Sequence, residues 1–271
     1  MDLGLSAKTI LITGGSKGIG EATAMAFAKE PGTQVAITYF QGKTQAESIV
    51  DKINAAGGKA MAVYMELGNH PSIIQAVEEV VQAWGQIDVL VNNAIQWGNA
   101  EYRGKHLEEI PISAWEYVIN TNLFSLVKLT QLVLPYMRNR NWGRIVNISS
   151  DLAFDSMKGS GAYSALKASL LGLTANLVEE YSPYNILTNT VVPSWTQTEK
   201  ALQYFPASLH EAMKQAFPTG RITQPEDVAN TILFLCSAAN GHVNGETIRV
   251  TGKGAMPLMN HVIKGHMAAA K

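Results

Sequence analysis

A glycine-rich turn near the start of the chain constrains the fold more than any other stretch. TILIT at 9–13 is a short β-branched apolar run, typical of a buried parallel strand, and EATAMAFAKE at 21–30 predicts a helix. Between them lies the pattern T-G-x-x-x-G-x-G, with Gly14, Gly18 and Gly20. Glycines at such a turn let the backbone approach a pyrophosphate and place it at the helix N-terminus. The turn therefore predicts a dinucleotide-binding unit rather than a merely structural connection.

The rest of the chain repeats this alternation of strand and helix. Six further short apolar runs are typical of buried strands: QVAITYF (34–40), KAMAVYMEL (59–67), IDVLVNNA (87–94), GRIVNISS (143–150), NILTNTVV (185–192, which we expect Pro193 to break) and ETIRV (246–250). Strands that alternate with helices predict an α/β fold, here a single doubly wound Rossmann domain with a seven-stranded parallel sheet flanked by helices.

No composition shift or linker divides the chain into two domains. We predict one domain over residues 1–252 and a C-terminal tail over 253–271. In the tail, His261 and His266 lie five apart with no neighbouring Cys or carboxylate group, so we predict no metal site.

Bulk composition excludes several classes of protein. The chain has 271 residues, is 46% hydrophobic and 16% charged, and carries a formal net charge of −1. This composition predicts a globular protein and gives no electrostatic reason to expect nucleic acid or an anionic membrane as a partner. Cys236 is the single cysteine, which excludes an intrachain disulfide. Since no signal peptide or membrane-spanning run is recognisable, we expect a cytoplasmic location.

A second stretch, Ser150 to Lys167, carries groups suited to acid–base chemistry. Tyr163 and Lys167 lie four apart in a segment with strong helix character, so they share one helix face. A free Tyr has a pKa near ~10, and one cation about 4 Å away supplies roughly the 4 kcal/mol that lowers it by about 3 units. Ser150 ends an apolar run and can donate a hydrogen bond to a substrate oxygen. Because this spacing also occurs in ordinary surface helices, the interpretation depends on the rest of the chain.

The end of the second predicted strand indicates which dinucleotide is preferred. NAD-binding folds often place an Asp or Glu there to hold the ribose hydroxyls. Here the strand ends in Tyr39, Phe40 and Gln41, while Lys17 in the glycine-rich turn and Lys43 after the strand supply cations that suit a 2′-phosphate. We therefore favour NADP(H) over NAD(H), with ordinary solvated lysines as the alternative interpretation.

Two segments near the predicted sheet edge are candidates for a substrate site. Residues 194–221 depart from the α/β rhythm and are rich in large apolar side chains: Trp195, Tyr204, Phe205, Met213 and Phe217. They predict a substrate lid, with an ordinary packed helical connection as an equal alternative. The loop at 96–111 contains Trp97, Tyr102 and His106, which we interpret as loop residues in preference to site residues.

Five motifs together resemble the classical short-chain dehydrogenase/reductase family. They are TGGSKGIG at 13–20, NNA at 92–94, Ser150, YSALK at 163–167 and VVPSWTQT at 191–198. The resemblance extends from about residue 6 to residue 252, and the combination is specific although each motif alone is not. Through GRIVNISS and TGRITQPEDVA the chain is most similar to 3-oxoacyl-(acyl-carrier-protein) reductases and related ketoreductases.

The resemblance implies a catalytic tetrad and a set of cofactor contacts. Asn122, Ser150, Tyr163 and Lys167 match the family's residues, with Asn120 as the alternative to Asn122 if the helix register differs by two. In the family, Tyr exchanges a proton with the substrate oxygen and Ser stabilises that oxygen. Lys lowers the Tyr pKa and holds the nicotinamide ribose, and Asn supports a water relay. The implied cofactor-binding residues are Gly14, Ser16, Lys17, Gly18, Ile19, Gly20, Tyr39, Glu66, Leu67, Asn93, Ala94, Tyr163, Lys167, Pro193, Thr196 and Thr198.

Several positions depart from the family pattern. The usual NNAG ends in Ile95, the Asp after the third strand is Glu66, and the Gly after Pro193 is Ser194. The usual D-G-G near the end reads Thr251, Gly252, Lys253. None of these changes removes a catalytic group, and together they suggest a specialised member with altered packing around the site.

The implied activity is hydride transfer between NADP(H) and a carbonyl or alcohol. The apolar segment 194–221 favours a medium-to-large, partly apolar substrate of the 3-oxoacyl, polyketide or cyclic-ketone type, with thioester-linked substrates among the candidates. An enoyl reductase fits less well, because such members of the superfamily usually space Tyr and Lys seven apart. The alternative from another class is a catalytically silent nucleotide-binding redox sensor or scaffold.

The family also implies self-association as a homo-tetramer, or as a dimer. The contact would involve the long apolar helix after Asn122 and the helix that carries Tyr163.

Overall fold

A computed structural model describes residues 2–98, 100–204 and 206–254 of the chain. Phe205 and the tail beyond residue 254, with His261 and His266, lie outside the described residues. Within them, seven strands form one fully parallel sheet: β1 (Thr9–Ile12), β2 (Gln34–Tyr39), β3 (Lys59–Tyr64), β4 (Val89–Asn92), β5 (Gly143–Ile148), β6 (Ile186–Pro193) and β7 (Thr247–Val250). The predicted fold class is confirmed.

Helices connect the strands and cover both faces of the sheet. They are α1 (Gly18–Ala28), α2 (Lys43–Ala55), α3 (His70–Trp84), α4 (Ile112–Val118), α5 (Ser125–Asn139), α6 (Gly161–Tyr181), α7 (Glu199–Tyr204), α8 (Ala207–Ala216) and α9 (Pro225–Leu235). Because strand side chains alternate between faces, Ile10 and Ile12 of β1 pack in a core with α1, α2 and α9, whereas Leu11 packs in a second core with α3, α5 and α6.

The strand order places three predicted motifs at one edge. The order is β3-β2-β1-β4-β5-β6-β7, so the chain changes direction across the sheet between β1 and β4. Such a switch point opens a crevice outside the carboxyl ends of the strands. The register pairs Ile12 with Val91 and Asn92 with Asn147. The glycine-rich turn, the NNA motif and Ser150 therefore follow neighbouring strands at the same edge.

A row of buried polar side chains crosses the sheet below this edge. Asn92 Nδ2 donates to Asn147 Oδ1 at 2.9 Å, and Asn147 Nδ2 donates to Thr174 Oγ1 on α6 at 2.9 Å. The hydroxyls of Thr174 and Thr190 are 2.8 Å apart. Because a buried amide left without a partner costs about 1–3 kcal/mol, this row favours a single register of β4, β5, β6 and α6.

Three details differ from the sequence-based expectation or refine it. Pro193 does not break the sixth strand but is its last residue, paired with Val250 of β7. The loop at 96–111 contains two short 3₁₀ turns, and a π-helical turn, Ile119–Phe124, joins α4 to α5.

Across the described part of the chain, no helix combines the length and apolar character needed to cross a bilayer.

Candidate active site

The glycine-rich turn joins β1 to α1 at the carboxyl edge of the sheet. Gly14 has a φ of 65°, in the left-handed region that favours glycine. A Cβ on Gly20 would lie 2.3 Å from the Gly14 carbonyl oxygen, so α1 begins in close contact with the turn. The N-cap residue of α1, Lys17, makes no side-chain capping bond. The first N–H groups of α1 are therefore suited to binding a phosphate.

Asn93, in the NNA motif after β4, fixes the glycine-rich turn. Its Nδ2 donates to the carbonyl oxygens of Thr13 at 2.9 Å and Gly14 at 3.2 Å. In return, Thr13 Oγ1 accepts hydrogen bonds from the backbone N–H groups of Asn93 at 2.9 Å and Ala94 at 2.8 Å. The amide of Asn93 thus holds the ends of β1 and β4 together, and its predicted cofactor contact stays a prediction.

Ser150 and Tyr163 meet at the end of β5. Ser150 caps the 3₁₀ turn Asp151–Ala153, and its Oγ accepts a hydrogen bond from the Leu152 N–H at 3.2 Å. Tyr163 lies in the first turn of α6, and its hydroxyl forms a side-chain hydrogen bond with Ser150. Burial raises the pKa of Tyr163, and this hydrogen bond opposes the rise. An ordinary Tyr, with a pKa near ~10, is already protonated at neutral pH, and burial keeps the phenol in that form.

Lys167 lies one helical turn after Tyr163, on the same face of α6. Its Nζ is 5.7 Å from the centroid of the Tyr163 ring and donates to the Ile148 carbonyl oxygen at 2.7 Å. Burial lowers the pKa of Lys167 to about 8. The spacing of the two residues predicts that Lys167 lowers the pKa of Tyr163. Instead, burial dominates at Tyr163 and raises its pKa, with Trp97 covering one face of the half-buried ring.

Asn122 is buried in the π-helical turn between α4 and α5. Its Oδ1 accepts from the Gln96 N–H at 2.8 Å, and its Nδ2 donates to the carbonyl oxygens of Gln96 at 3.0 Å and Val118 at 2.9 Å. The side chain therefore joins the helix to the loop after β4, whereas Asn120 is exposed. The geometry favours Asn122 over Asn120, and π-helical turns of this kind often occur at functional sites.

The indole of Trp97 lies flat against the ring of Tyr163. The two ring centroids are 4.5 Å apart and the planes are inclined by 14°. Trp97 is 50% exposed, and Nζ of Lys200 from α7 lies 5.9 Å from the indole centroid. Sequence reasoning favours Trp97 as an ordinary loop residue. No local pattern signals this stacking, because the two rings come from distant segments of the chain.

The loop after β4 and the loop before α6 fit together beside this site. The Gly104 N–H donates to the Lys158 carbonyl oxygen at 3.1 Å, and Nζ of Lys158 is 2.8 Å from Nε2 of His106. A Cβ on Gly159 would lie 2.0 Å from the Tyr102 carbonyl oxygen. Tyr102 and His106 therefore contact the loop that precedes α6.

The segment 194–221 spans from the glycine-rich turn to the turn after Ser150. Near its start, Cγ2 of Thr198 is 3.1 Å from the position of a Cβ on Gly18. Further along, α8 buries one apolar face. There Leu209 and Met213 of α8 form a buried cluster with Phe217 and Ile222, which follow the helix, and this cluster packs against Leu152, Met157 and Trp195. The apolar side chains of α8 are thus used in packing, and the substrate-lid role of the segment stays a prediction.

The remaining predicted cofactor residues lie at the same edge. Tyr39 ends β2, with its ring edge-on to Tyr64 at 6.1 Å between centroids. After β3, the Glu66 carboxylate accepts hydrogen bonds from the Tyr64 hydroxyl at 3.3 Å and the Asn69 amide at 3.1 Å. After β6, Thr196 Oγ1 donates to the Ser194 carbonyl oxygen at 2.9 Å. Ser16, Lys17, Ile19 and Leu67, like Tyr39, Glu66 and Thr196, are at least partly exposed.

A parallel sheet with this first turn, and with Ser, Tyr and Lys gathered at its carboxyl edge, defines the class of dinucleotide-binding oxidoreductases. Comparison with known proteins supports this assignment to the dinucleotide-binding oxidoreductases. Residues 14–252 match the family model described as enoyl-(acyl carrier protein) reductase. The 3-oxoacyl-(acyl-carrier-protein) reductase FabG of Aquifex aeolicus is 38% identical, over 93% of this chain and 99% of the relative. That of Thermotoga maritima is 36% identical, over 92% and 98%.

A solved structure of a 7α-hydroxysteroid dehydrogenase, complexed with NADH and 7-oxo glycochenodeoxycholic acid, has the same fold. It superposes with a TM-score of 0.85 at 29% identity, covering 94% of this chain and 96% of that one. The chain therefore belongs to the short-chain dehydrogenase/reductase family of oxidoreductases.

Proposed function

We propose that this protein is an NADP(H)-dependent ketoreductase that interconverts a carbonyl and an alcohol. The observation that carries the proposal is the meeting of Ser150, Tyr163 and Lys167 at the sheet edge that also holds the glycine-rich turn. The curated relatives named above are 3-oxoacyl-(acyl-carrier-protein) reductases, which supports a 3-oxoacyl thioester as the first substrate to test.

The glycine-rich turn fits a dinucleotide. The start of α1 lacks a side-chain cap, and close contacts at Gly15 and Gly20 keep both positions free of side chains: a Cβ on Gly15 would lie 2.5 Å from Ile37. We propose that the first N–H groups of α1 hold the pyrophosphate and that Lys167 holds the nicotinamide ribose. When bound, the nicotinamide supplies or accepts the hydride.

The protein's own residues handle the proton. The phenol of Tyr163 is protonated at neutral pH, as the ordinary Tyr pKa of about 10 already requires, and can donate to the oxygen of a carbonyl substrate. Ser150 donates a hydrogen bond to the same oxygen, and Lys167 provides a buried cation that is mostly protonated below its pKa of about 8. Asn122 keeps the loop after β4 in contact with the helix.

The enoyl description of the family model does not alter the proposal. Tyr163 and Lys167 are spaced four residues apart, so α6 presents both on one face toward Ser150. A phenol that shares a hydrogen bond with a serine hydroxyl suits protonation of a carbonyl oxygen. An enoyl thioester belongs in the assay panel because its reduction, without reduction of the matching 3-oxoacyl thioester, would overturn the ketoreductase assignment.

The proposed preference for NADP(H) depends chiefly on Lys17. Lys43, the other candidate cation, lies 3.7 Å from Glu47, whereas Lys17 stands exposed in the glycine-rich turn. We expect Lys17→Ala to raise the KM for NADPH about tenfold, roughly the 1.4 kcal/mol of one charge-assisted contact, and to leave the KM for NADH unchanged. Steady-state kinetics with both cofactors measures this.

The matched control for that prediction is Lys43→Ala, which removes an equal charge from a residue already paired. It should change the KM for NADPH much less than Lys17→Ala does. Equal changes in the KM of NADPH and NADH in the Lys17 variant would remove Lys17 from 2′-phosphate recognition.

We propose a medium-to-large, partly apolar substrate, with Trp97 as one wall of its site. The indole is half exposed beside the phenol of Tyr163, so a substrate carbonyl that reaches Tyr163 passes next to it. Purified protein assayed for NADPH and NADH oxidation against 3-oxoacyl thioesters, cyclic ketones and aryl ketones tests this. Cofactor binding without turnover on the panel would favour the second candidate, a nucleotide-binding sensor or scaffold.

We propose a homo-tetramer, or a dimer, for the assembled enzyme. Phe124, directly before α5, is about half exposed, which supports the predicted contact of the helix after Asn122 with a second copy. A stable monomer in sedimentation at micromolar concentration would contradict this proposal.

A further inference from the structure

A carboxylate lies directly after the catalytic serine candidate and is buried. Asp151 is 1% exposed, and its Oδ1 is 3.3 Å from Nη2 of Arg249. Its other oxygen, Oδ2, has no hydrogen-bond partner among the residues that the structure describes. A buried carboxylate with one unsatisfied oxygen is costly to maintain. Simple packing does not explain its presence at this position.

The backbone of Asp151 builds the turn that holds Ser150. Its carbonyl oxygen accepts hydrogen bonds from the N–H groups of Phe154 and Asp155, both at 2.9 Å. Ser150 Oγ accepts from the Leu152 N–H in the same turn. A change in the position of Asp151 therefore moves the hydroxyl that binds Tyr163.

Arg249 anchors this turn to the far end of the sheet. It lies on β7 and pairs in register with Val192 of β6. Its guanidinium also lies 3.6 Å from Oδ2 of Asp155 and 5.1 Å from the centroid of the Phe154 ring. The turn after Ser150 is thus attached to β7 through one cation and two carboxylates.

We propose that Asp151 is a positioning residue whose ionised carboxylate, paired with Arg249, holds the Ser150 turn in its active arrangement, so that protonation of Asp151 releases the turn and lowers turnover. This inference depends on the proposed function, because it assigns the effect to the substrate-binding role of Ser150.

The carboxyl of Asp151 should titrate within the pH range over which turnover can be measured. Burial raises its pKa to about 6, the cation of Arg249 opposes that rise, and the charge of Asp155 adds to it. Within the described residues, these two groups, one from β7 and one from the same turn, are the charged groups that face the carboxyl. Turnover should therefore fall as the pH decreases through about 6.

As the pH falls, turnover should decrease, whereas the contribution of Asp151 to the stability of the fold should increase. The native pKa of Asp151 lies above the value of about 3.9 for an unfolded Asp. The native state therefore binds this proton more tightly, and the contribution of Asp151 to stability increases as the pH falls from above 6 toward 4. Lower activity combined with higher relative stability over one pH interval is not expected from general acid denaturation.

The first test is kcat/KM against pH from 5 to 8 with NADPH and a ketone that the wild type reduces. We expect Asp151→Asn to lower the plateau about tenfold through a misplaced Ser150, to leave the KM for NADPH unchanged and to abolish the acid limb. Asp155→Asn, the matched control, should retain the limb. An acid limb that persists in Asp151→Asn would overturn the proposal.

Arg249→Gln tests the pair from its other end and serves if Asp151→Asn does not fold. Removing the cation that opposes the pKa rise should move the acid limb to higher pH, and Arg249→Lys should partly restore it. An unmoved limb in Arg249→Gln would contradict the proposed pairing.

A turnover-independent readout separates this inference from the proposed function. The Tm of wild type minus that of Asp151→Asn should increase between pH 7 and pH 5. A constant difference would overturn the inference whether or not the enzyme is active. Absence of turnover with an increasing difference would instead overturn the ketoreductase proposal, and with it the proposed role of the Ser150 turn.

Discussion

Replacing Tyr163 by Phe should lower kcat for ketone reduction by about 10²- to 10⁴-fold, the range typical of a lost general acid. The substitution removes a hydroxyl that is both protonated at neutral pH and hydrogen-bonded to Ser150. It keeps the ring that stacks on Trp97, so the wall of the site is preserved. Affinity for NADPH, followed by its fluorescence, should stay unchanged.

The control for this prediction is Tyr181→Phe, which removes the same hydroxyl from the last residue of α6. Its kcat should match that of the wild type. If Tyr163→Phe also turns over at the wild-type rate, Tyr163 is not the acid, and the proposed mechanism is wrong.

Replacing Gly20 by Ala should give the largest loss of stability and cofactor affinity of any single methyl addition in the glycine-rich turn. The new Cβ would lie 2.3 Å from the Gly14 carbonyl oxygen and 2.7 Å from Nδ2 of Asn93. Both atoms belong to the junction of β1 and β4, and the nearer is backbone, so neither can move without opening that junction. We expect a loss of about 3 kcal/mol in the free energy of unfolding.

Gly172→Ala in α6 is the matched control because a Cβ there meets no described atom within 4 Å. Since Ala is favoured over Gly in a helix interior, this variant should be more stable by about 0.5–1 kcal/mol. Thermal unfolding and NADPH titration measure both variants. Retention of wild-type Tm and affinity in Gly20→Ala would show that the turn tolerates rearrangement.

Structural features that depend on residues close together in the sequence were predictable. The glycine-rich turn, the seven strands and the face shared by Tyr163 and Lys167 each follow from a short pattern with a local physical cause. Strand order at the switch point then brings Gly14 and Ser150 to one edge, as a doubly wound sheet requires.

Features that depend on tertiary contact were not predictable. The stacking of Trp97 on Tyr163 and the pairing of Asp151 with Arg249 each join residues from distant segments. The spacing of Tyr163 and Lys167 predicts a lowered pKa for the phenol, but the desolvation that raises it depends on the packing around the ring, which no spacing rule reports. Likewise, Met213 supplies apolar surface to a packed cluster, as its 0% exposure shows.

The choice between Asn122 and Asn120 could not be made from the helix period of the sequence. Both residues lie in one helical stretch, and a helix period alone cannot rank them. The π-helical turn directs Asn122 inward, where it bonds both backbone groups of Gln96, and leaves Asn120 exposed.

The most direct test of the central claim is transfer of a label from cofactor to substrate. Purified protein would be incubated with NADPH deuterated at C4 of the nicotinamide and a 3-oxoacyl thioester, and the product analysed by mass spectrometry. We expect a 3-hydroxyacyl product carrying one deuterium, formed by the wild type and suppressed in Tyr163→Phe. Binding of NADPH with no labelled alcohol from this or any other ketone of the panel would contradict the assignment as a ketoreductase.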